Sequence, residues 1–466
     1  MVFSSLTFLF AYLPIVLLLY FIVPIKYRNL VLLVVSLFFY GWGEPIYVLM
    51  MVFSIIMNWI FGNHINKYRN DNKEKAKKIL ILCVAFNLLL LGFFKYYDFF
   101  VSNLNALGLS FLKPLNLSLP IGISFYTFQA LSYPIDIYRF DTDVQKSVIN
   151  FGAYVTMFPQ LIAGPIVRYR DIAKQLNERI INTEYFAQGI YRFTVGLCKK
   201  VLIANNCGQV FEFVGSLSSA QSSTLTAWLG IIGYTFQIYF DFSGYSDMAI
   251  GLGKMLGFDF LENFNYPYIS KSITDFWRRW HMSLSYWFRD YVYIPLGGNR
   301  NGLAKQLINI MIVWLLTGFW HGAAWNFVLW GVFYGVVLII EKLFLLKRLD
   351  KMPSVLCHIY TMLIVIIAWV LFAHTDLSKA LSYLAMMFGL GGTAFANNVT
   401  IYLIRNNLVL FIIAAIACTP IAKTKLNIFK NETVNKFLPI VVLIMLIICT
   451  AFIVDASYNP FLYFRF

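Results

Sequence analysis

Charge is scarce in this chain. Asp, Glu, Lys and Arg together supply 13% of its 466 residues, about half the share usual in a soluble domain. Acid is scarcer than base, with 22 Asp and Glu against 37 Lys and Arg, and there are only five histidines. The six cysteines (Cys83, Cys198, Cys207, Cys357, Cys418, Cys449) lie apart in apolar segments without a C-x-x-C pair. They read as small buried hydrophobes and indicate neither a disulfide framework nor a metal site. H-E-x-x-H, G-x-S-x-G, the P-loop and the Rossmann fingerprint are all missing, which sets aside the chemistries those motifs carry. A regular arginine repeat and a potassium-filter sequence are missing too, so nothing marks a voltage sensor or a selective channel. No long polar stretch marks a separate soluble domain. The first charge is Lys26, so the opening apolar run lacks the basic start of a signal peptide and reads as a retained first helix.

What is present is apolar surface: 60% hydrophobic and 18% aromatic residues. A membrane-crossing helix needs about 20 mostly apolar residues. Nearly uncharged runs of that kind recur at 1–25, 45–66, 114–135, 147–167, 213–240, 306–340, 352–373, 380–404 and 437–454, with shorter ones at 29–43, 79–94 and 406–422. The expectation is an all-α polytopic membrane protein with about ten to twelve transmembrane helices in one domain. Three stretches suggest themselves: anchoring helices over 1–112, a catalytic core over 113–345 and C-terminal helices over 346–466.

The net charge of +15 does not point to nucleic acid, because the basic residues cluster in the short connections between apolar runs. Lys26 and Arg28, the segments 67–78, 271–305, 341–351 and 423–436 follow this pattern. Under the positive-inside rule these connections face the cytoplasm, which leaves the N-terminus and the C-terminal YNPFLYFRF outside. Membrane lipid is then the immediate surroundings.

The centre of the chain differs from its ends. LPIGISFYTFQALSYPIDIYR (119–139), FPQLIAGPIVRYR (158–170) and YFDFSGYSDMAIGLGKMLGF (239–258) mix Gly, Pro, Tyr and charge into apolar runs. Irregular backbone at membrane depth is tolerated only where protein buries it or where it lines a cavity, so re-entrant or interfacial helices around a central cavity are expected here. The echo of YTFQ at 126–129 and 234–237 is too short to mark a repeat.

His321 stands in LTGFWHGAAWNF (316–327), inside a run from Gln306 to Ile340 that carries no Asp, Glu, Lys or Arg. An ionisable group at bilayer depth costs about 2.5 kcal/mol or more, and its persistence there is by default a functional signal. The run is too long for one comfortable span and too short for two with a turn, and both flanks are basic. A hairpin of two short arms with its tip inside the membrane fits, Gly318 and Gly322 permitting the break near His321; one strongly tilted helix is the competing geometry. A lone histidine is often a satisfied core residue, but the membrane setting and the neighbours Trp320, Trp325 and Asn326 favour function. Imidazole can take a proton from a hydroxyl at neutral pH.

The second stretch is TDFWRRWHMSLSYWFRDYVYIPLGGNR (274–300). Its spacing predicts an amphipathic helix with Trp277, His281, Ser285 and Arg289 on one face. An interfacial helix with an aromatic belt explains the Trp and Arg residues but does not call for His281. A functional reading adds that Arg278 and Arg279 at a cytoplasmic mouth could hold the phosphates of a thioester donor, with Asp290 paired to a basic neighbour. Asp241 and Asp247 are helix-end acids or line the cavity; Asp136 pairs with Arg139; His64, His358 and His374 read as structural.

The segments RRWHMSLSYWFRDYVYIPLGG, TGFWHG, YFDFSGYSDMAIGLGKMLGF and FPQLIAGPIVRYRDI, in that family's order, closely resemble the membrane-bound O-acyltransferase (MBOAT) family. They are most similar to its bacterial branch of alginate and other polysaccharide O-acetyltransferases, and the resemblance runs to the terminal YNPFLYFRF. It implies the MBOAT fold and an enzyme that takes an acyl group from a cytoplasmic thioester, acetyl-CoA, to a hydroxyl of an exported polysaccharide, directly or through an SGNH-type extracytoplasmic acetyltransferase. The family's catalytic histidine falls on His321 and its second polar position on His281. Substrate contacts are expected from Arg278, Arg279, Trp280, Trp320, Asn326, Asp241 and Asp290, with no bound cofactor or metal. The alternatives are D-alanyl transfer from a carrier protein to teichoic acid, a polysaccharide or lipid transporter, and a non-catalytic scaffold.

Overall fold

A computed structural model describes residues 1–109, 112–390, 392–421, 424, 432–455 and 458–462. The described residues form helices and connections without a strand. Seven helical stretches among them are long and apolar enough to cross a membrane: Tyr47–Tyr68, Lys73–Ala106, Gly302–His321, Trp325–Leu349, Ser354–Ala373, Asn398–Ala417 and Lys436–Asp455. The protein is therefore a multi-pass, all-helical membrane protein.

Seven is fewer than the apolar runs suggested, and the reason is local. The 147–167 run breaks at Met157, ahead of Pro159, into Val148–Thr156 and Phe158–Leu161; Pro159 suits a first helical turn but would disrupt a helix continued through it. The 114–135 run becomes helical only at Ile123, after Gly122 in a left-handed conformation (φ 73°). The 380–404 run divides into Leu377–Met387 and Asn398–Ala417, the second started by an Asn397 cap on the Thr400 amide. The basic segment 423–436 and the last four residues of the terminal motif fall largely or wholly outside the described residues.

The chain packs as two units, Met1–Phe193 with Tyr245–Leu261, and Thr194–Gly244 with Glu262–Phe466. In the first, Asn72 caps Lys73–Ala106 through the Lys75 amide at 2.9 Å. That helix is tied to Tyr47–Tyr68 by a reciprocal amide pair: Asn58 Nδ2 donates to Asn87 Oδ1 at 3.0 Å, and Asn87 Nδ2 to Asn58 Oδ1 at 2.8 Å. Both side chains are fully buried, so each satisfies the other where lipid offers no partner. The helix Ile123–Tyr138 is buried on every side, with only Ile135 and Tyr138 partly open. Its Asp136 pairs with Arg170 at 3.6 Å, an ion pair to a residue 34 positions on, where the sequence had suggested the local Arg139.

The second unit contains the run around His321, which is indeed a hairpin of two helices. Its arms are longer than expected, because helix continues through charged residues on both flanks. Gly302–His321 begins before Lys305, and the stretch from Trp325 persists to Leu349 past Glu341. Each arm is long enough for a full crossing, which replaces the short-armed hairpin and excludes the single tilted helix. The arms meet at glycine: a Cβ on Gly318 would lie 2.5 Å from the Phe327 carbonyl oxygen, and one on Gly331 2.5 Å from that of Trp314. Backbones approach this closely only where side chains are missing.

Candidate active site

The segment that carries His281 begins with two caps. Ser272 accepts from the Asp275 amide at 3.0 Å, which satisfies one orphan donor of the first turn of Ile273–Arg279. The second cap comes from another helix. The buried Glu341 carboxylate accepts from the Ile273 amide at 2.7 Å, the Thr274 amide at 2.8 Å, the Thr274 hydroxyl at 2.6 Å and the Tyr360 hydroxyl at 3.1 Å. Four donors stabilise one anion at the positive end of a helix. The sequence showed Glu341 only as the charge that ends an apolar run.

The expected continuous helix over 274–300 is broken at the histidine. Ile273–Arg279 stops at Trp280, His281 takes a left-handed conformation (φ 46°, ψ 52°), and a new helix runs Met282–Phe288. Trp277, His281, Ser285 and Arg289 thus do not share one helical face. Left-handed backbone is costly for a residue with a Cβ and persists only when its surroundings impose it. Here they centre on Asn263, 18 residues upstream. Its carbonyl accepts from the Met282 amide at 2.9 Å, and its side-chain Oδ1 accepts from the Ser283 hydroxyl at 2.9 Å and the Ser283 amide at 3.3 Å.

That same Oδ1 lies 3.0 Å from His281 Nδ1. A backbone amide can only donate, so the Ser283 contact fixes this atom of Asn263 as the oxygen, and Nδ1 must then carry the proton. The lone pair of the neutral ring is left on Nε2. Burial holds the His281 imidazole well below its ordinary titration range, and nearby His321 adds to the effect. His281 is 1% exposed, and its ring packs edge-on against Phe242 at 4.7 Å.

His321 ends the helix Gly302–His321, and the chain turns extended at Gly322. Its ring is edge-on to Trp330 at 5.1 Å and to Phe372 at 5.3 Å. Trp320 joins the two histidines, its ring 5.1 Å from His321 and 5.9 Å from His281. The aromatic wall continues through Trp369, 5.0 Å from Trp280 and 6.3 Å from Trp330. The Trp369 indole donates to the Tyr268 hydroxyl at 3.2 Å, which donates to the Thr235 carbonyl at 2.6 Å. Two buried imidazoles in such an enclosure suit proton transfer to and from a bound hydroxyl.

The structure thus brings His281, Trp280, Trp320 and His321 together. Asn326, fully buried beyond the turn, donates to the Leu371 carbonyl at 3.2 Å and so braces the helix that bears Trp369 and Phe372. Arg279 is tied to Asp275 at 2.9 Å, while Arg278 is exposed. Asp290 pairs with Arg289 at 2.7 Å. Asp241 contacts Lys200 at 2.6 Å and accepts from the Leu462 amide at 2.9 Å. His358 lies 3.2 Å from the Ser270 carbonyl. Asn263, Glu341, Lys200 and Phe242 were not singled out in the sequence; the asparagines interleaved with aromatics in NFNYPY (263–268) were the one available signal.

Comparison with known proteins identifies the family. The family model described as MBOAT, membrane-bound O-acyltransferase family, matches residues 141–385, which hold both histidines. The chain is 45% identical over 395 residues to the probable alginate O-acetylase of Azotobacter vinelandii, covering 84% of this chain and 79% of that protein. It is 37% identical over 435 residues to the peptidoglycan O-acetyltransferase of Helicobacter pylori, covering 85% and 81%. With the teichoic acid D-alanyltransferase of Bacillus subtilis it shares 32% identity over 235 residues, covering 48% and 59%. On these matches the chain belongs to the membrane-bound O-acyltransferase family and is an O-acyltransferase of the membrane.

Proposed function

We propose that the protein moves an acetyl group from acetyl-CoA on the cytoplasmic side to hydroxyls of an exported polysaccharide, directly or through an SGNH-type extracytoplasmic acetyltransferase. The observation that carries this reading is the pair His281 and His321, bridged by Trp320 in a buried aromatic enclosure. His321 acts as general base: it takes the proton of the acceptor hydroxyl as the oxygen attacks the thioester carbonyl, and returns that proton to the departing sulfur, so that CoA leaves as the thiol. Its removal costs about 10²–10⁴ in rate on that account.

With Nδ1 protonated toward Asn263, neutral His281 offers a lone pair at Nε2. That rules out donation to a thioester oxyanion and lets His281 orient the acceptor by accepting from a neighbouring hydroxyl of the sugar, which leaves the proton of the attacking hydroxyl to His321. Trp280 and Trp320 keep water from the thioester, and Asn326 holds the wall in place. Exposed Arg278, with Arg279 beside it, is assigned to the phosphates of the donor, with Asp290 holding Arg289 at the same mouth, and both chain termini are assigned to the outside. Acetyl rather than D-alanyl transfer is favoured because the acetyltransferase relatives cover about 84–85% of the chain, against 48% for the D-alanyltransferase.

The test is label transfer from radioactive acetyl-CoA to polysaccharide in membranes with matched amounts of native chain or His321→Ala. Label on the polymer that disappears with His321→Ala upholds the proposal. Equal transfer by both makes His321 structural and favours a transporter or scaffold.

A further inference from the structure

The second unit holds a buried ion pair that the reaction does not use. Lys200 and Asp241 are 3% and 1% exposed, with Nζ 2.6 Å from Oδ1. A desolvated pair of this kind is weak evidence for stability alone, since apolar side chains of similar size often serve as well. What distinguishes it is a shared third partner, the C-terminal segment Tyr458–Leu462. Lys200 Nζ donates to the Pro460 carbonyl, and Asp241 Oδ2 accepts from the Leu462 amide at 2.9 Å. Two further contacts align the segment: Asn205 Nδ2 donates to Asn459 Oδ1 at 3.2 Å and Gln237 Nε2 to the Tyr458 hydroxyl at 3.1 Å. Phe461 and Leu462 are buried beside them.

Asp241 lies in the helix Thr224–Met255, and the next residue, Phe242, packs edge-on against the His281 ring. Three residues earlier, Tyr239 packs on Trp280 at 6.1 Å. One helical turn therefore touches the chain end through its carboxylate and the histidine segment through its rings. We infer that the Lys200–Asp241 pair is a clamp that docks the C-terminal segment on this turn, and that both residues position His281 for acyl transfer. The inference rests on the role given to His281 above and assigns Asp241 to positioning in place of substrate contact.

Two readouts on the full chain in proteoliposomes test it. In the first, Leu462→Cys is introduced and its alkylation by a membrane-permeant maleimide is followed by mass mapping. Asp241→Asn keeps an acceptor for the Leu462 amide but leaves Lys200 without its counter-charge, and Lys200→Met removes both contacts of the ammonium. Each should speed alkylation at position 462 at least tenfold, while Lys200→Arg, which keeps charge and donor, should not. In the second, kcat for acetyl transfer should fall at least tenfold in Asp241→Asn and Lys200→Met at matched protein level, with KM for acetyl-CoA unchanged and Lys200→Arg largely restored.

Faster alkylation with a lower kcat upholds the inference. Unchanged alkylation overturns the clamp, and faster alkylation with native kcat overturns the positioning role. If the native chain transfers no acetyl group, the functional reading fails by itself; the alkylation rates then decide the clamp alone.

Discussion

Replacing Glu341 by Gln should weaken the protein through one carboxylate that touches no substrate. Its Oε1 accepts from the Ile273 amide and the Tyr360 hydroxyl, and its Oε2 from the Thr274 amide and hydroxyl. Glutamine keeps the shape and one oxygen, so one pair of donors retains a neutral acceptor. The other pair faces an NH₂ group that cannot accept. Of those two donors, the backbone amide cannot rotate away and stays buried and unsatisfied, at about 1–3 kcal/mol. The retained bonds also weaken when the charge goes, since bonds to a charged acceptor are worth about 1.5–3 kcal/mol against about 1 for neutral ones. The sum is about 3 kcal/mol, near the low end for breaking a buried charged network. Reversible unfolding in mixed detergent–SDS micelles measures it, with activity at matched folded protein as a second observable. Because Glu341 holds the start of the segment leading to His281, kcat should fall even where the variant is folded. A stability within about 0.5 kcal/mol of native would refute the four-donor account.

Three further outcomes follow from the geometry. Asn263→Asp puts a carboxylate against His281 Nδ1 and should raise the pKa of a ring that burial now depresses. The native ring refuses a proton that the unfolded chain binds below pH about 6.5, so it withdraws stability as pH falls through that range; the variant should lose less stability there, while the acid limb of its pH–rate profile moves up. Gly331→Ala forces a Cβ to 2.5 Å from the Trp314 carbonyl oxygen and should cost about 1–3 kcal/mol by overpacking, read in the same unfolding assay. Asn58→Leu leaves Asn87 without its reciprocal amide and should cost about 0.6–1.7 kcal/mol with kcat intact.

The sequence was most informative where the membrane makes a residue expensive. His321 stood out because 35 residues around it carry no charge, and the hairpin followed from run length and glycines. The arms outrun the uncharged stretch because helix does not stop where charge begins: Glu341 is buried within the helical stretch and satisfied by donors from elsewhere. His281 was legible as a histidine that an interfacial helix does not need, but its left-handed hinge was not. Periodicity reports what a segment would do alone, and here Asn263, 18 residues away, dictates the backbone. Asp241 was conspicuous for the same reason as His321, yet its partners lie at Lys200 and Leu462, pairings that no local pattern encodes.

The helix Ile123–Tyr138, buried on all sides with Gln129, Pro134 and Asp136 within it, has a bearing on biogenesis. Presented alone to lipid as it leaves the ribosome, it would expose an unpaired acid near its C-terminal end, together with a backbone bond broken at proline. Arg170, the ion-pair partner of Asp136, is made some 30 residues later. This segment is thus a poor substrate for one-at-a-time insertion. Its enclosure is complete only when Arg170 and the helices around it have been made.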